Sequence, residues 1–316
     1  MAPHPRATIA IPTYNGEQYL DDLLNACLGQ EVEFGFELLV VDSGSSDRTL
    51  AIVRSHPEVR LHQIKQKEFG HGRTRNRAAS LARGEIVVYL TQDAVPAGPR
   101  WLEEMLRPFE ISKRVVCVFG KQVPRPDCPP TVKRDVMAVF SSFGPDHCLS
   151  LQQASPRITD QAALDALAFM SNVNSAVRKS LLRRIPFPDV AYAEDQALGR
   201  EVISAGLIKC YAPLASVVHS HGLALPAYFR RMYEEMAGLR AATGRSLETS
   251  TLGHARIVAG ETVRDWRFIL RDPAYRRRAK LKWVLQAPLY QLARRTAVRL
   301  STRDALPGWA ARLLGA

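Results

Sequence analysis

The run Leu38-Leu39-Val40-Val41 leads straight into Asp42-Ser43-Gly44-Ser45-Ser46-Asp47-Arg48-Thr49, and this junction constrains the fold more than any other stretch. The apolar run is short, partly β-branched and stopped by turn formers, so it reads as a buried strand. Asp47 reads as the N-cap of a following helix whose apolar positions are Leu50, Ile52 and Val53. A strand whose carboxyl end passes through an acidic polar loop into a helix is the building unit of an open α/β sheet, and such sheets bind ligands at that edge. An ordinary capped turn is the competing reading of this loop taken alone.

The same alternation runs on either side. Residues 8–11 read as a strand closed by Pro12-Thr13-Tyr14-Asn15. Leu20, Leu23, Leu24, Cys27 and Leu28 then fall at i, i+3, i+4, i+7 and i+8, one stripe of an amphipathic helix. With a further strand at 59–64 this is a β-α-β-α-β order, hence a largely parallel sheet. Phe69-Gly70-His71-Gly72-Arg73-Thr74-Arg75-Asn76-Arg77 sets glycines, which let a backbone approach a ligand, before three arginines entering a helix that continues through Ala82. Phosphate recognition and a plain loop both suit this pattern, and His71 is open to either role. A strand at 86–90 delivers Thr91-Gln92-Asp93, placing Asp93 on the same edge as Asp42.

Past a helix from about 100 to 109 and a strand near 115–119, the proline-dense 124–130 marks a change of organisation. Residues 131–170 read as helical around a mobile polar middle at 144–159, and 172–177 as a return to the sheet. Ala193-Glu194-Asp195-Gln196 opens a helix that stops near Ala205-Gly206. His219 and His221 alternate on an apparent strand, so only one of them faces any given side.

Composition narrows the class. With 316 residues and 46% hydrophobic content the chain can bury a full core. No run approaches the ~20 apolar residues of a spanning helix, and Met1-Ala2-Pro3-His4-Pro5-Arg6 lacks an apolar leader, so a cytoplasmic protein is expected. Five scattered cysteines without a Cys-x-x-Cys pair argue against a disulfide framework or a zinc site and read as reduced packing residues. The net charge of +12 is uneven: residues 264–316 hold 13 Lys and Arg against three Asp, a net +10. From Phe229 on the chain reads as helices in which Trp266, Phe268, Trp283 and Tyr290 sit beside basic clusters. This suits an anionic membrane surface, with a solvated helical face as the alternative.

Taken together and in order, Ile11-Pro12-Thr13-Tyr14-Asn15, Val41-Asp42-Ser43-Gly44-Ser45-Ser46-Asp47, Gln92-Asp93-Ala94 and Glu194-Asp195 resemble the inverting, family-two nucleotide-sugar glycosyltransferases of the GT-A fold. Phe69-Gly70-His71-Gly72, Thr74-Arg75-Asn76 and Val218-His219-Ser220-His221 are similar to the bacterial rhamnosyltransferase-like branch. The likeness covers about residues 6–225. It implies a Rossmann-like, mixed but mostly parallel α/β sheet flanked by helices, with a basic helical C-terminal extension. The expected domains are a glycosyltransferase domain over 1–225, split into a nucleotide-binding half (1–95) and an acceptor half (96–225), and a helical region over 226–316.

The resemblance also implies roles. Thr13 and Asp42 would hold the base and ribose, and Arg75 would lie near the base or diphosphate. Asp93 would contact ribose and a divalent metal, Mn²⁺ or Mg²⁺. Thr91 stands where a first acid is usual, and His219 or His221 would supply another ligand. The chemistry of the residues agrees: a departing diphosphate needs a cation and fixed donors, here Asp93 with a metal and Arg73 or Arg75. The attacking hydroxyl needs a carboxylate base, for which Asp195 is the candidate. Asp195 as a mere helix cap and Glu194 as a solvated or structural acid are the plainer readings. The expected donor is a nucleoside-diphosphate sugar such as dTDP-rhamnose. The expected acceptor is a lipid-linked or polysaccharide hydroxyl, met in the cytoplasm or on the inner face of the cell membrane. A binding protein or membrane-associated scaffold without turnover, suggested by Thr91, is the competing class. Nucleic-acid binding lacks a reader motif, and a dinucleotide-dependent dehydrogenase lacks the glycine fingerprint after the first strand.

Overall fold

The computed structural model describes residues 4–154, 160–190, 192–243, 251–303, 306–308, 310 and 314. In chain order these form β1 (Ala7–Thr13), α1 (Leu20–Leu28), β2 (Phe36–Asp42), α2 (Thr49–Arg54), β3 (Val59–Gln63), α3 (His71–Leu81), β4 (Ile86–Leu90), β5 (Val95–Pro96), α4 (Trp101–Leu106), α5 (Pro108–Ile111) and β6 (Val115–Val123). There follow α6 (Pro130–Ser141), β7 (Ser150–Gln152), α7 (Gln161–Ala168), β8 (Asn174–Arg178), α8 (Lys179–Leu182), α9 (Glu194–Ser204), β9 (Ile208–Val218), α10 (Leu225–Thr243), α11 (Thr251–Arg271) and α12 (Arg277–Ser301). The chain divides into two units, residues 1–123 with 140–219, and residues 124–139 with 220–316.

The first unit holds one sheet in the order β3-β2-β1-β4-β8-β6-β9-β5, with β7 also on β9. The pairs β1–β2, β1–β4, β2–β3 and β6–β9 are parallel, whereas β8, β5 and β7 run antiparallel to their neighbours. Successive residues of a strand face opposite sides, and here both sides are covered. Ile9, Ile11, Leu38 and Val40 pack with Leu20, Leu23 and Leu24 of α1, and Ala10, Leu39 and Val41 pack with Ala78 of α3 and Leu198 and Val202 of α9. Burial on both faces is why these strands read as unbroken apolar runs.

The structure amends several local expectations. Arg48, one residue later than expected, occupies the N-cap position of α2, and Asp47 Oδ1 instead accepts from the Thr49 N–H at 2.9 Å. The helix expected at 100–109 is two helices, because Pro108 opens the second and lacks the N–H that would continue the first. Within 131–170, α6 and α7 are helical but β7 adds a strand, and residues 155–159 lie outside the described residues. The strand expected to carry the two histidines ends at Val218. Its partner β6 ends at Val123 and is followed by Pro124, which has no N–H to extend the ladder. Strand alternation therefore does not govern His219 and His221. Cys27, Cys117, Cys128 and Cys210 are buried free thiols, and Cys148 is exposed.

In the second unit α12 packs on α10 and α11, and residues 130–139 of α6 are tied to α11 and α12 by side-chain pairs. Asp265, fully buried, accepts from Thr131 Oγ1 at 2.8 Å and Gln291 Nε2 at 2.7 Å and pairs with Arg134 at 3.1 Å. Among the described residues no helix is long and apolar enough to cross a membrane.

Candidate active site

Three parallel strands bring their carboxyl ends side by side, and three sequence candidates sit there. Thr13 closes β1, Asp42 closes β2, and Asp93 follows β4 by three residues. Thr13 Oγ1 donates to Asp42 Oδ2 at 2.9 Å. Asp42 also accepts from the Gly44 and Ser45 N–H groups, each at 3.0 Å, and from Ser45 Oγ at 2.5 Å. Gly44 adopts φ +90°, a left-handed turn that folds these donors back. Asp42 is fully buried, and its carboxylate organises the loop. Gln92 clamps the neighbouring loop, accepting from Tyr14 N–H at 2.9 Å and donating to the Tyr14 carbonyl at 3.1 Å.

Asp93 Oδ2 lies 3.3 Å from His219 Nε2. The Gln122 amide donates to Ser171 Oγ at 3.0 Å, which turns its carbonyl oxygen to His219 Nδ1, also at 3.0 Å. That contact orients the ring and presents its Nε2 to Asp93. Beside Asp93, the buried Thr91 Oγ1 finds no hydrogen-bond partner among the described residues. A carboxylate and an oriented imidazole nitrogen 3.3 Å apart are donors suited to a small divalent cation. His221 belongs to the second unit.

Asp195 reaches the same edge by another route. β8 runs antiparallel to β4, pairing Asn174 with Leu90, so the amino end of β8 lies at the carboxyl end of β4. Thr91 N–H donates to the Val173 carbonyl at 3.3 Å, and Asn172 N–H donates to Asp195 Oδ2 at 2.9 Å. Asp195 is half-buried in the first turn of α9. Loss of solvation among the packed protein, followed by the like charge of Glu194, pushes its carboxyl up to about 6.

Glu194 is not a solvated acid. It is 4% exposed, accepts from Asn172 Nδ2 at 3.1 Å and pairs with Arg75 Nη1 at 2.7 Å. Arg75, itself 8% exposed, also donates to the His71 carbonyl at 3.1 Å. Burial and the Arg75 charge hold the His71 imidazole below its ordinary value, against the pull of Glu194. Arg73 is exposed and meets Asp189 at 3.1 Å.

The glycine-arginine motif acts on protein as much as on any ligand. Asn76 donates to the Phe187 carbonyl at 2.8 Å and accepts from the Phe187 N–H at 3.0 Å, and a Cβ on Gly72 would stand 2.0 Å from the Pro188 oxygen. These contacts dock the segment leading to Ala193, which takes φ +61° before Glu194 and Asp195 enter α9. A non-glycine residue in that conformation costs about 1–2 kcal/mol. Asn172 and Gln122 are members of this site that sequence reasoning missed, and Arg75 and Glu194 were named there but not as partners of one another. Only the buried end of α3 gave a hint, through arginines spaced too closely to share one solvent face.

Residues 8–185 match the model of the family described as "Glycosyl transferase family 2". The O-antigen chain rhamnosyltransferase RfbN of Salmonella typhimurium is 30% identical over 237 residues, covering 72% of this chain and 71% of that protein. WbaN of Salmonella anatum, also named an O-antigen chain rhamnosyltransferase, is 31% identical over 234 residues, or 73% and 71%. The mannosyltransferase PcManGT of Pyrobaculum calidifontis, solved with GDP-Man and Mn²⁺, aligns over 99% of this chain and 80% of its own at 22% identity and a TM-score of 0.55. S. aureus TarS 1–349 with UDP aligns over 94% and 90% at 18% identity and a TM-score of 0.53. The architecture is the GT-A fold expected from the sequence.

Proposed function

Because this chain belongs to glycosyl transferase family 2, we propose that it transfers rhamnose, with inversion, from a nucleoside diphosphate such as dTDP-rhamnose to a hydroxyl of a lipid-linked or polysaccharide acceptor. The rhamnosyltransferase names of two relatives support the sugar, and the GDP-Man and UDP bound by fold neighbours support a nucleotide donor. The reaction belongs on the cytoplasmic side, at a membrane where the acceptor is lipid-linked.

The observation that carries the reading is Asp195, a carboxylate with a raised pKa held at the strand edge that also bears Asp93. As the acceptor oxygen bonds to the anomeric carbon, Asp195 takes the hydroxyl proton and the electron pair of the breaking bond leaves with the nucleoside diphosphate. A base that titrates near the working pH does this well. Asp93 and His219 would hold Mn²⁺ or Mg²⁺, whose chemistry there is to neutralise the diphosphate. Arg73, whose ion pair with Asp189 lies in solvent and is therefore weak, is free to turn to the phosphates. Arg75 lies against Glu194 and positions the Glu-Asp pair from behind. Thr13 and Asp42 shape the loop that receives base and ribose.

A non-catalytic nucleotide-sugar binding protein or scaffold is the second reading, favoured by Thr91 in place of an acid. Nucleotide release from dTDP-, UDP- and GDP-sugars, with and without Mn²⁺ or Mg²⁺, separates the two. The enzyme turns over one donor with metal and stops with chelator. Tight donor binding without release from any of them supports the scaffold.

A further inference from the structure

We infer that the hairpin of α11 and α12 is a docking face for an anionic lipid bilayer. The two helices are joined by residues 272–276, and Trp266 Nε1–H donates to the Val284 carbonyl at 2.8 Å, fixing one helix against the other. On α12 Leu281, Leu285, Leu289 and Leu292 recur at helical spacing and are 64%, 68%, 49% and 55% exposed. On α11 Val263, Trp266 and Leu270 do the same. A contiguous apolar strip of this kind on a surface helix marks an interaction site. A groove of about 890 Å³ lined by Val258, Val263, Trp266, Leu292 and Arg299 opens on it, with room for part of an acyl chain.

Charge selects the partner. Helix α12 contains Arg277, Arg278, Lys280, Lys282, Arg294, Arg295 and Arg299 and no acid. At 100° per residue Arg278, Arg295 and Arg299 flank the leucine stripe at its two ends. The acids of segment 251–303 are engaged from within the unit: Glu261 and Asp265 pair with Arg134, and Asp272 pairs with Lys133. The outward field is therefore one of cations. A second copy of the chain would set like charges against one another, whereas a bilayer with anionic headgroups takes both the leucines and the arginines. The catalytic assignment plays no part in this inference.

The test is sedimentation of the full-length protein with vesicles of phosphatidylcholine alone or mixed with phosphatidylglycerol, at low and high salt. Strong partitioning into the mixed vesicles, weak partitioning into the neutral ones and loss at high salt are expected. Leu281→Asp/Leu285→Asp should cut partitioning at least ten-fold. Arg277→Glu/Arg278→Glu should cut it roughly five-fold for each cation lost. Leu214→Asp, at a leucine 50% exposed in the first unit, should bind as the native protein does. Thermal melts check that the variants fold, and if one does not, the lipid and salt comparison on the native chain decides. Native protein that stays in the supernatant, equal binding to both vesicle types, or folded hairpin variants that bind undiminished would each overturn the proposal. So would variants that only dissociate a dimer, seen by analytical ultracentrifugation.

Discussion

The backbone N–H of Asn172 donates to Asp195 Oδ2 at 2.9 Å, and Asn172 stands two residues before the strand whose Asn174 is paired with Leu90. A helix-borne carboxylate is thus tied to the end of β4, three residues from Asp93. Removing its charge should separate catalysis from stability. Asp195→Asn keeps an oxygen acceptor for Asn172 and should lower transfer about 10²- to 10⁴-fold while leaving donor binding nearly intact. The sign of the stability change follows from the raised pKa. Below about pH 4 the carboxyl is neutral folded and unfolded, and nothing is lost. As pH rises through about 6 the folded state must carry a charge it disfavours, so native stability declines. Asp195→Asn should therefore melt higher than the native protein at pH 8, on the order of 1–3 kcal/mol, and equally at pH 4. Full-rate transfer by the variant would remove the base assignment.

The pair of Arg75 with Glu194 is buried on both sides, so truncating one partner strands the other. Glu194→Ala should cost about 3–5 kcal/mol in a denaturant titration. The milder Glu194→Gln removes the like charge that helps to raise Asp195, so the acid limb of kcat/KM should move to lower pH. A limb that stays in place would show that Glu194 does not tune the base.

Gln122 orients the His219 ring through its Nδ1, 3.0 Å away. Gln122→Leu should weaken Mn²⁺ binding about 10- to 100-fold in a titration with nucleoside diphosphate present, with little change in far-ultraviolet circular dichroism. Undiminished affinity would mean that His219 is not a ligand.

Gly72 separates the two uses of the glycine-arginine motif. Its missing Cβ makes room for the backbone of Pro188, so Gly72→Ala should destabilise by about 1–3 kcal/mol and slow turnover by displacing the segment ahead of Asp195. Gly98, where a Cβ meets nothing within 4 Å, should accept alanine without loss. If Gly72→Ala leaves the melt unchanged and raises only the donor KM, the glycine serves the ligand.

The parts legible in the sequence are those encoded by neighbours along the chain. Leu38 to Asp42, the stripe from Leu20 to Cys27 and the strand before Asp93 declare themselves by period and by turn residues. The parts that were not legible are made by pairing across the fold. A backbone N–H such as that of Asn172 carries no signature, because every residue has one. Gln122 looks like any strand residue until Ser171 and His219 flank it. Ser150 to Gln152 is three residues long and becomes a strand by lying on β9, where the buried Lys209, whose pKa burial lowers to about 7, bonds Gln152 and the Phe169 carbonyl. The histidine placement turned on Pro124, far away in sequence, which ends the partner strand.

The most direct measurement is a crystal structure of the full chain soaked with Mn²⁺ and a nucleoside diphosphate. The metal is expected on Asp93 and His219, the diphosphate beside Arg73, and the Asp195 carboxylate facing the vacated sugar position within about 3 Å of an ordered water or acceptor oxygen. A nucleotide bound away from the ends of β1, β2 and β4, or an Asp195 carboxylate turned from it, would contradict the account.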